Sequence, residues 1–153
     1  MKRYAIYYAP PPGAFAQAGA AWLGWDAATG QAVAQPDPGL AAITVAPRKY
    51  GFHGTLKPPF RLAEGQSFAA LQTAVAALAT RLAPALLPGL RLRDLDGFLA
   101  LTPEGDTRAL QALAAEVVTT LAPFRAPPNP AEIAKRRPER LTLRQRALLD
   151  TYG

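Results

Sequence analysis

The sequence contains no cysteine and one histidine among its 153 residues. The absence of cysteine excludes disulfides, thiolate catalysis and cysteine-ligated metals. With a single histidine, a zinc site would have to take most of its ligands from carboxylates, which is uncommon in proteins. We therefore expect a protein that uses no metal and no cofactor.

Long apolar runs are also lacking. No run reaches the ~20 residues that a membrane-spanning helix requires. The first eight residues, MKRYAIYY, lack the long apolar region of a signal peptide. These two absences predict a soluble, cytoplasmic protein without a membrane partner.

Half of the residues are apolar, which is enough for one folded domain of this length. The 16 prolines and 12 glycines cluster between periodic stretches, as connectors in a folded protein do. We predict a single domain over residues 1–153, with an α/β portion at 1–126 and a helical C-terminal segment at 127–153.

The formal net charge of +6 favours anionic partners, but the charge is unevenly distributed. Six basic residues, here called the basic segment, lie between positions 135 and 146: Lys135, Arg136, Arg137, Arg140, Arg144 and Arg146. Such a run is typical of a solvated helical face, and a nucleic-acid-binding patch is the alternative.

Apolar periodicity and turn residues predict an alternating order of elements. We expect strands at 3–8, 90–93 and 98–102, and helices at 14–23, 68–82 and 131–136, with two more ending at Leu121 and Tyr152. Segment 25–39 is predicted to be mainly loop. The order β-α-β-α-β-β-α favours an α+β fold in which helices pack on a largely antiparallel sheet.

Helix starts are signalled by capping residues. Ser67, Asn129 and Thr142 each precede a predicted helix, and either Asp106 or Thr107 precedes another. Pro130 after Asn129 occupies the first helical position, where proline is favoured.

The segment FHGTLKPPF at 52–60 is predicted to be a strand that stops at Pro58 and Pro59, because proline cannot continue a central ladder. Alternation along a strand would place His53, Thr55 and Lys57 on one face, with Phe52, Gly54 and Leu56 towards a core. An imidazole, a hydroxyl and an ammonium in a row suit a bound phosphate. The basic pair Arg48 and Lys49 precedes this strand and could help to draw in an anion, although surface basic residues usually have no such specific role.

The string HGTL at 53–56 resembles the His-x-Thr-x motif of the two-histidine phosphoesterase superfamily, which includes RNA 2′,3′-cyclic phosphodiesterases. Strings at 3–10, 21–24, 50–60 and 97–101 resemble a bacterial branch often encoded beside phosphonate-metabolism genes and named phosphonate metabolism proteins. The resemblance extends over essentially the whole chain.

The resemblance implies a two-lobed fold around a cleft, with one His-x-Thr motif in each lobe. His53 would be one of two catalytic histidines, one acting as general base and the other as general acid, and Thr55 one of two phosphate-binding threonines. The substrate would be a small phosphodiester, cyclic or linear, and no metal would be needed. Lys57 is added from strand geometry as a candidate phosphate contact.

A second histidine is absent from the sequence, and so is the second His-x-Thr motif. The expectation is therefore an N-terminal portion of a longer phosphoesterase-like protein, without its C-terminal strand or strands. Because one imidazole cannot be acid and base at once, we expect little or no turnover from this chain alone.

Two other classes of function stay open at this point. One is a non-catalytic nucleotide- or RNA-binding module, which the basic segment favours. The other is a helical interaction or assembly protein, which only the alanine-rich helices favour. The oligomeric state, the natural substrate and the direction of proton transfer at His53 are not predicted by the sequence.

Overall fold

The computed structural model describes residues 2–152 and confirms an α+β fold. The strands are β1 (Tyr4–Tyr8), β2 (Trp25–Asp26), β3 (Gln31–Ala32), β4 (Gly54–Phe60), β5 (Gly89–Asp94) and β6 (Leu99–Glu104). The helices are α1 (Ala14–Leu23), α2 (Leu40–Ile43), α3 (Phe68–Ala79), α4 (Arg108–Thr120), α5 (Pro130–Lys135) and α6 (Leu143–Tyr152). In the part of the chain described, no helix has the length and apolar character to cross a bilayer.

Within residues 2–152, the strands are divided among three two-stranded sheets, which pair β1 with β4, β2 with β3, and β5 with β6. The last two pairs are antiparallel, with Trp25 opposite Ala32 in one and Leu92 opposite Leu101 in the other. The residues divide into two compact units. The small unit comprises Ala5–Pro58, and the large unit comprises the N-terminal residues through Tyr4 and the chain from Pro59 onward.

The small unit contains His53 and the first five residues of the strand that follows it. Helix α1 has the predicted bounds and ends at Gly24, which is in the left-handed region with φ 71°. Glycine tolerates this conformation at helix ends because it has no Cβ. Leu23 and Leu40 supply buried apolar side chains, and the Thr44 hydroxyl, also buried, donates to the Leu40 carbonyl.

The large unit is built on α3 and α4. Its buried side chains recur at the helical spacings predicted from the sequence, at Leu71, Leu78, Val117 and Leu121. An antiparallel bridge joins Leu62 to Arg125.

An ion pair between Arg61 and Glu132, at 3.2 Å, ties α5 to the chain that follows β4. The hydrogen bond from Arg61 lowers the pKa of the Glu132 carboxyl, and the backbone N–H of Asn129 adds to the effect.

The predicted helix caps at Ser67, Asn129 and Thr142 are confirmed. Ser67 Oγ accepts from the Ala70 N–H at 3.1 Å, and Asn129 forms a reciprocal capping box with Glu132. Thr142 Oγ1 accepts from the backbone N–H of residue 145, whose side chain accepts from the Thr142 N–H in return. For α4 the cap residue is Thr107, without a side-chain cap bond, and it is Asp106 Oδ1 that accepts the Arg108 N–H.

Segment 25–39 is mainly loop, as predicted, with the two-residue strands β2 and β3 within it. The predicted bounds of the strand around His53 are wrong. Strand β4 does not stop at Pro58 and Pro59 but continues to Phe60, and it starts at Gly54, after His53. In a two-stranded sheet each strand has a free edge, so prolines without an N–H donor are tolerated there.

Candidate active site around His53

A tight turn at Gly51 leads the chain to His53. Gly51 has φ 74° and ψ 177°, and its N–H donates to the Arg48 carbonyl, closing the 3-10 turn Pro47–Tyr50. A Cβ at position 51 would lie 2.4 Å from the Cβ of Ala27, closer than side chains approach. Both the backbone conformation and the space therefore require glycine here.

The carbonyl of this same glycine orients the imidazole. His53 Nδ1 lies 2.9 Å from the Gly51 oxygen. A carbonyl oxygen only accepts hydrogen bonds, so Nδ1 must carry the hydrogen. This contact leaves Nε2 as the nitrogen that accepts a proton when the ring is neutral and releases one when the ring is charged. This geometry is compatible with either an acid or a base role for Nε2.

The ring of Tyr7 in β1 covers one face of the imidazole. The two ring centroids are 3.8 Å apart and the planes differ by 28°, which is a stacked arrangement. Sequence reasoning did not identify Tyr7 or Gly51 as part of the site. The signals for them were an aromatic residue in the first strand and a glycine two residues before the histidine.

Phe52 attaches the residue before His53 to helix α1. Its ring meets Phe15 edge-on, with centroids 5.2 Å apart and an interplanar angle of 78°. The Phe52 ring also contacts Gly19. A Cβ at position 19 would lie 2.4 Å from the Phe52 Cγ atom and closer still to Cδ1. Because Gly19 has no side chain, Phe52 sits directly against the helix.

The other two predicted site residues, both in β4, differ in exposure. Thr55 is exposed and Lys57 is 1% exposed, whereas His53 is partly buried. Gly54, expected to face a core, is exposed, with Tyr8 4.0 Å from where its Cβ would lie. The open row of three polar groups that alternation predicts is therefore not formed, because His53 precedes the strand and the Lys57 side chain is enclosed.

Arg48, which precedes the strand, makes hydrogen bonds within the small unit. Its Nε donates to the Leu23 carbonyl at 2.8 Å. Its Nη2 lies 3.1 Å from both Gln35 Oε1 and Thr44 Oγ1. These contacts tie the end of α1 to the turn before Gly51.

All six residues of the basic segment are exposed. They lie on or beside α5 and α6, where acidic residues are few, with Glu139 as the acidic neighbour within the segment. The exposure fits a solvated face, as the sequence predicted, and leaves the arginines accessible to an anionic partner.

Within residues 2–152, no group of three or more histidine, cysteine, aspartate or glutamate residues is placed to hold a metal ion.

The chain thus has an α+β fold that carries an oriented histidine, followed two residues later by an exposed threonine, as a candidate site. The chain belongs to the DUF1045 family, described as a protein family of unknown function, whose model matches residues 55–153. The matched range includes Thr55 and Lys57 and begins two residues after His53.

Two curated relatives are similar to this chain, and both are named ribose 1,5-bisphosphate phosphokinase PhnN. The relative from Janthinobacterium sp. (strain Marseille) is 40% identical over 160 residues, covering 100% of this chain and 35% of the relative. The relative from Laribacter hongkongensis (strain HLHK9) is 42% identical over 129 residues, covering 82% of this chain and 31% of the relative. The chain thus spans about a third of the length of the curated relatives it matches. No solved structure matches the chain.

Proposed function

We propose that this chain carries one half of the catalytic site of a phosphoesterase that hydrolyses a small phosphodiester, linked to phosphonate metabolism. The observation that carries the proposal is the imidazole of His53, oriented through Nδ1 by the Gly51 carbonyl at 2.9 Å and followed by the exposed Thr55. The resemblance of the segment around His53 to a His-x-Thr motif supports the same assignment.

In the proposed reaction, water attacks phosphorus and one P–O ester bond breaks. A general base takes the proton from the water, and a general acid delivers a proton to the departing oxygen. His53 Nε2 serves in one of these two steps, and the Thr55 hydroxyl donates to a non-bridging phosphate oxygen. Lys57 contributes positive charge from its enclosed position in β4.

The second acid–base group is not a histidine of this sequence, because His53 is the one histidine present. We therefore propose that the 153-residue chain binds the phosphate but turns over slowly or not at all by itself.

The names of the two relatives support a link to phosphonate metabolism, and they also describe a kinase activity. Both carry the name PhnN, which supports a connection to phosphonate metabolism. However, the sequence contains no G-x-x-x-x-G-K-[S/T] loop of the kind that holds the phosphates of a nucleotide in many kinases. We propose that the named phosphokinase activity resides in the two thirds of each relative that this chain does not cover.

Removing the Thr55 hydroxyl tests the phosphate-binding part of the proposal. Thr55→Val keeps the shape of a β-branched residue on the strand, so its effect reports the lost hydrogen bond to the anion. A hydrogen bond to a charged group contributes about 1.5–3 kcal/mol, so affinity for inorganic phosphate should fall roughly tenfold or more. Titration of the chain with inorganic phosphate, followed by NMR, measures the dissociation constant.

Thr55→Ser and Thr73→Val are the matched controls. The serine retains the hydroxyl, and Thr73 is an exposed threonine on α3. Both should bind phosphate within about twofold of the wild type, a difference of under 0.5 kcal/mol. Equal affinity for Thr55→Val and the wild type would contradict the assignment of Thr55.

The alternative function is a non-catalytic RNA- or nucleotide-binding module, favoured by the exposure of the basic segment. Replacing Arg136, Arg137 and Arg140 by glutamine should then lower RNA affinity and flatten its salt dependence, by a slope of about 0.7 for each lost phosphate contact. Unchanged affinity and slope would refute this alternative. A control with equal charge loss elsewhere replaces three exposed residues: Lys2, Arg81 and Arg93.

A further inference from the structure

We propose that Tyr7 is a positioning residue that, together with the Gly51 carbonyl, holds His53 in the Nδ1–H tautomer and sets the direction of Nε2. The assignment of the tautomer rests on the contacts of His53 with Gly51 and Tyr7, whereas its consequence for catalysis rests on the proposed function. All the residues involved lie in the small unit.

The two contacts constrain different motions of the imidazole. The hydrogen bond from Nδ1 to the Gly51 oxygen selects which edge of the ring faces the turn. The stacked Tyr7 ring, with centroids 3.8 Å apart, fixes the tilt of that plane. A histidine ring is otherwise broadly free about its second side-chain torsion, so the two contacts together narrow the range of positions that Nε2 can take.

Tyr7 acts through its ring face, which phenylalanine would reproduce and leucine would not. The neighbouring Tyr8 provides a contrast, because its side chain lies beside Gly54 and is 52% exposed. Successive residues of a strand point to opposite faces, so a change at Tyr8 leaves the face of Tyr7 intact.

The single histidine makes a direct test simple, because the imidazole nitrogens give one set of signals in a protein labelled with ¹⁵N-histidine. Their chemical shifts in the neutral ring report which nitrogen carries the hydrogen. In the wild type and in Tyr7→Phe we expect the Nδ1–H form. In Tyr7→Leu the ratio of Nδ1–H to Nε2–H should fall roughly three- to tenfold, the range expected for loss of an aromatic contact. Tyr8→Leu should keep the wild-type ratio.

Two results would overturn the proposal. An Nε2–H ring in the wild-type protein would refute it without reference to any variant, even if Tyr7→Leu did not fold. A folded Tyr7→Leu protein with the wild-type tautomer ratio would also refute it.

Catalysis provides a separate readout in the protein expressed from its complete reading frame. If the proposed function holds, Tyr7→Leu should lower kcat about tenfold with KM within twofold, and Tyr7→Phe should change neither by more than twofold. A changed tautomer ratio without measurable activity in any variant would support the positioning of His53 and count against the phosphoesterase. Full activity of Tyr7→Leu would count against the positioning and leave the phosphoesterase standing.

Discussion

Gly51→Ala should destabilise the protein by about 3 kcal/mol, the largest effect on stability that we expect from a single small substitution in the small unit. A backbone with φ 74° and ψ 177° is accessible essentially to glycine, and a residue with a Cβ held there costs about 1–3 kcal/mol. The new Cβ would also lie 2.4 Å from that of Ala27, and overpacking of this kind costs about 1–3 kcal/mol more. Urea unfolding of the chain measures the change.

Gly54→Ala is the matched control, because it adds the same methyl group three residues away. Position 54 is an exposed strand residue whose nearest neighbour, Tyr8, would be at an ordinary 4.0 Å. Its stability should change by less than about 0.5 kcal/mol. Equal destabilisation by the two alanines would contradict the account of the turn.

A double variant separates the two causes. Ala27→Gly removes the Cβ that an alanine at position 51 would strike, but it leaves the backbone conformation unchanged. We expect Ala27→Gly to recover about half of the loss caused by Gly51→Ala, with the strain of the turn accounting for the remainder. Complete recovery would show that only the contact with Ala27 excludes a side chain there.

The parts of the fold that the sequence predicted are those determined by local interactions. The bounds of α1 and the caps at Ser67 and Asn129 follow from contacts between residues three or four positions apart. The β2–β3 pair was missed because strands of two residues carry no periodic signal. In the structure, it is followed by Gln35, whose side chain donates to the Trp22 carbonyl, a contact thirteen residues away in sequence.

The candidate site likewise has features that follow from the local sequence and features that depend on residues distant in sequence. His53 and Thr55 were predicted from residue type and strand alternation, which are local properties. The stacking of Tyr7 on His53 and the crowding of Gly51 by Ala27 join residues that are distant in sequence. The enclosure of Lys57 likewise depends on tertiary packing, and an isolated strand pattern predicted it on an open face.

The second large effect concerns His53 itself. In the protein expressed from its complete reading frame, His53→Ala should lower turnover of a cyclic phosphodiester by about 10²- to 10⁴-fold, the range for loss of a positioned acid or base. Affinity for inorganic phosphate should stay largely intact, since the Thr55 hydroxyl is still present. Thr55→Val is the complementary variant, because it should weaken binding while the imidazole is retained.

The role of His53 is tested by hydrolysis of a 2′,3′-cyclic nucleotide in the presence of a metal chelator, compared between the protein expressed from its complete reading frame and its His53→Ala variant. We expect measurable hydrolysis by the wild type that the chelator does not reduce, and a rate at least about 10²-fold lower in the variant. Hydrolysis by His53→Ala at more than half the wild-type rate would contradict the claim that His53 is an acid–base group of this site.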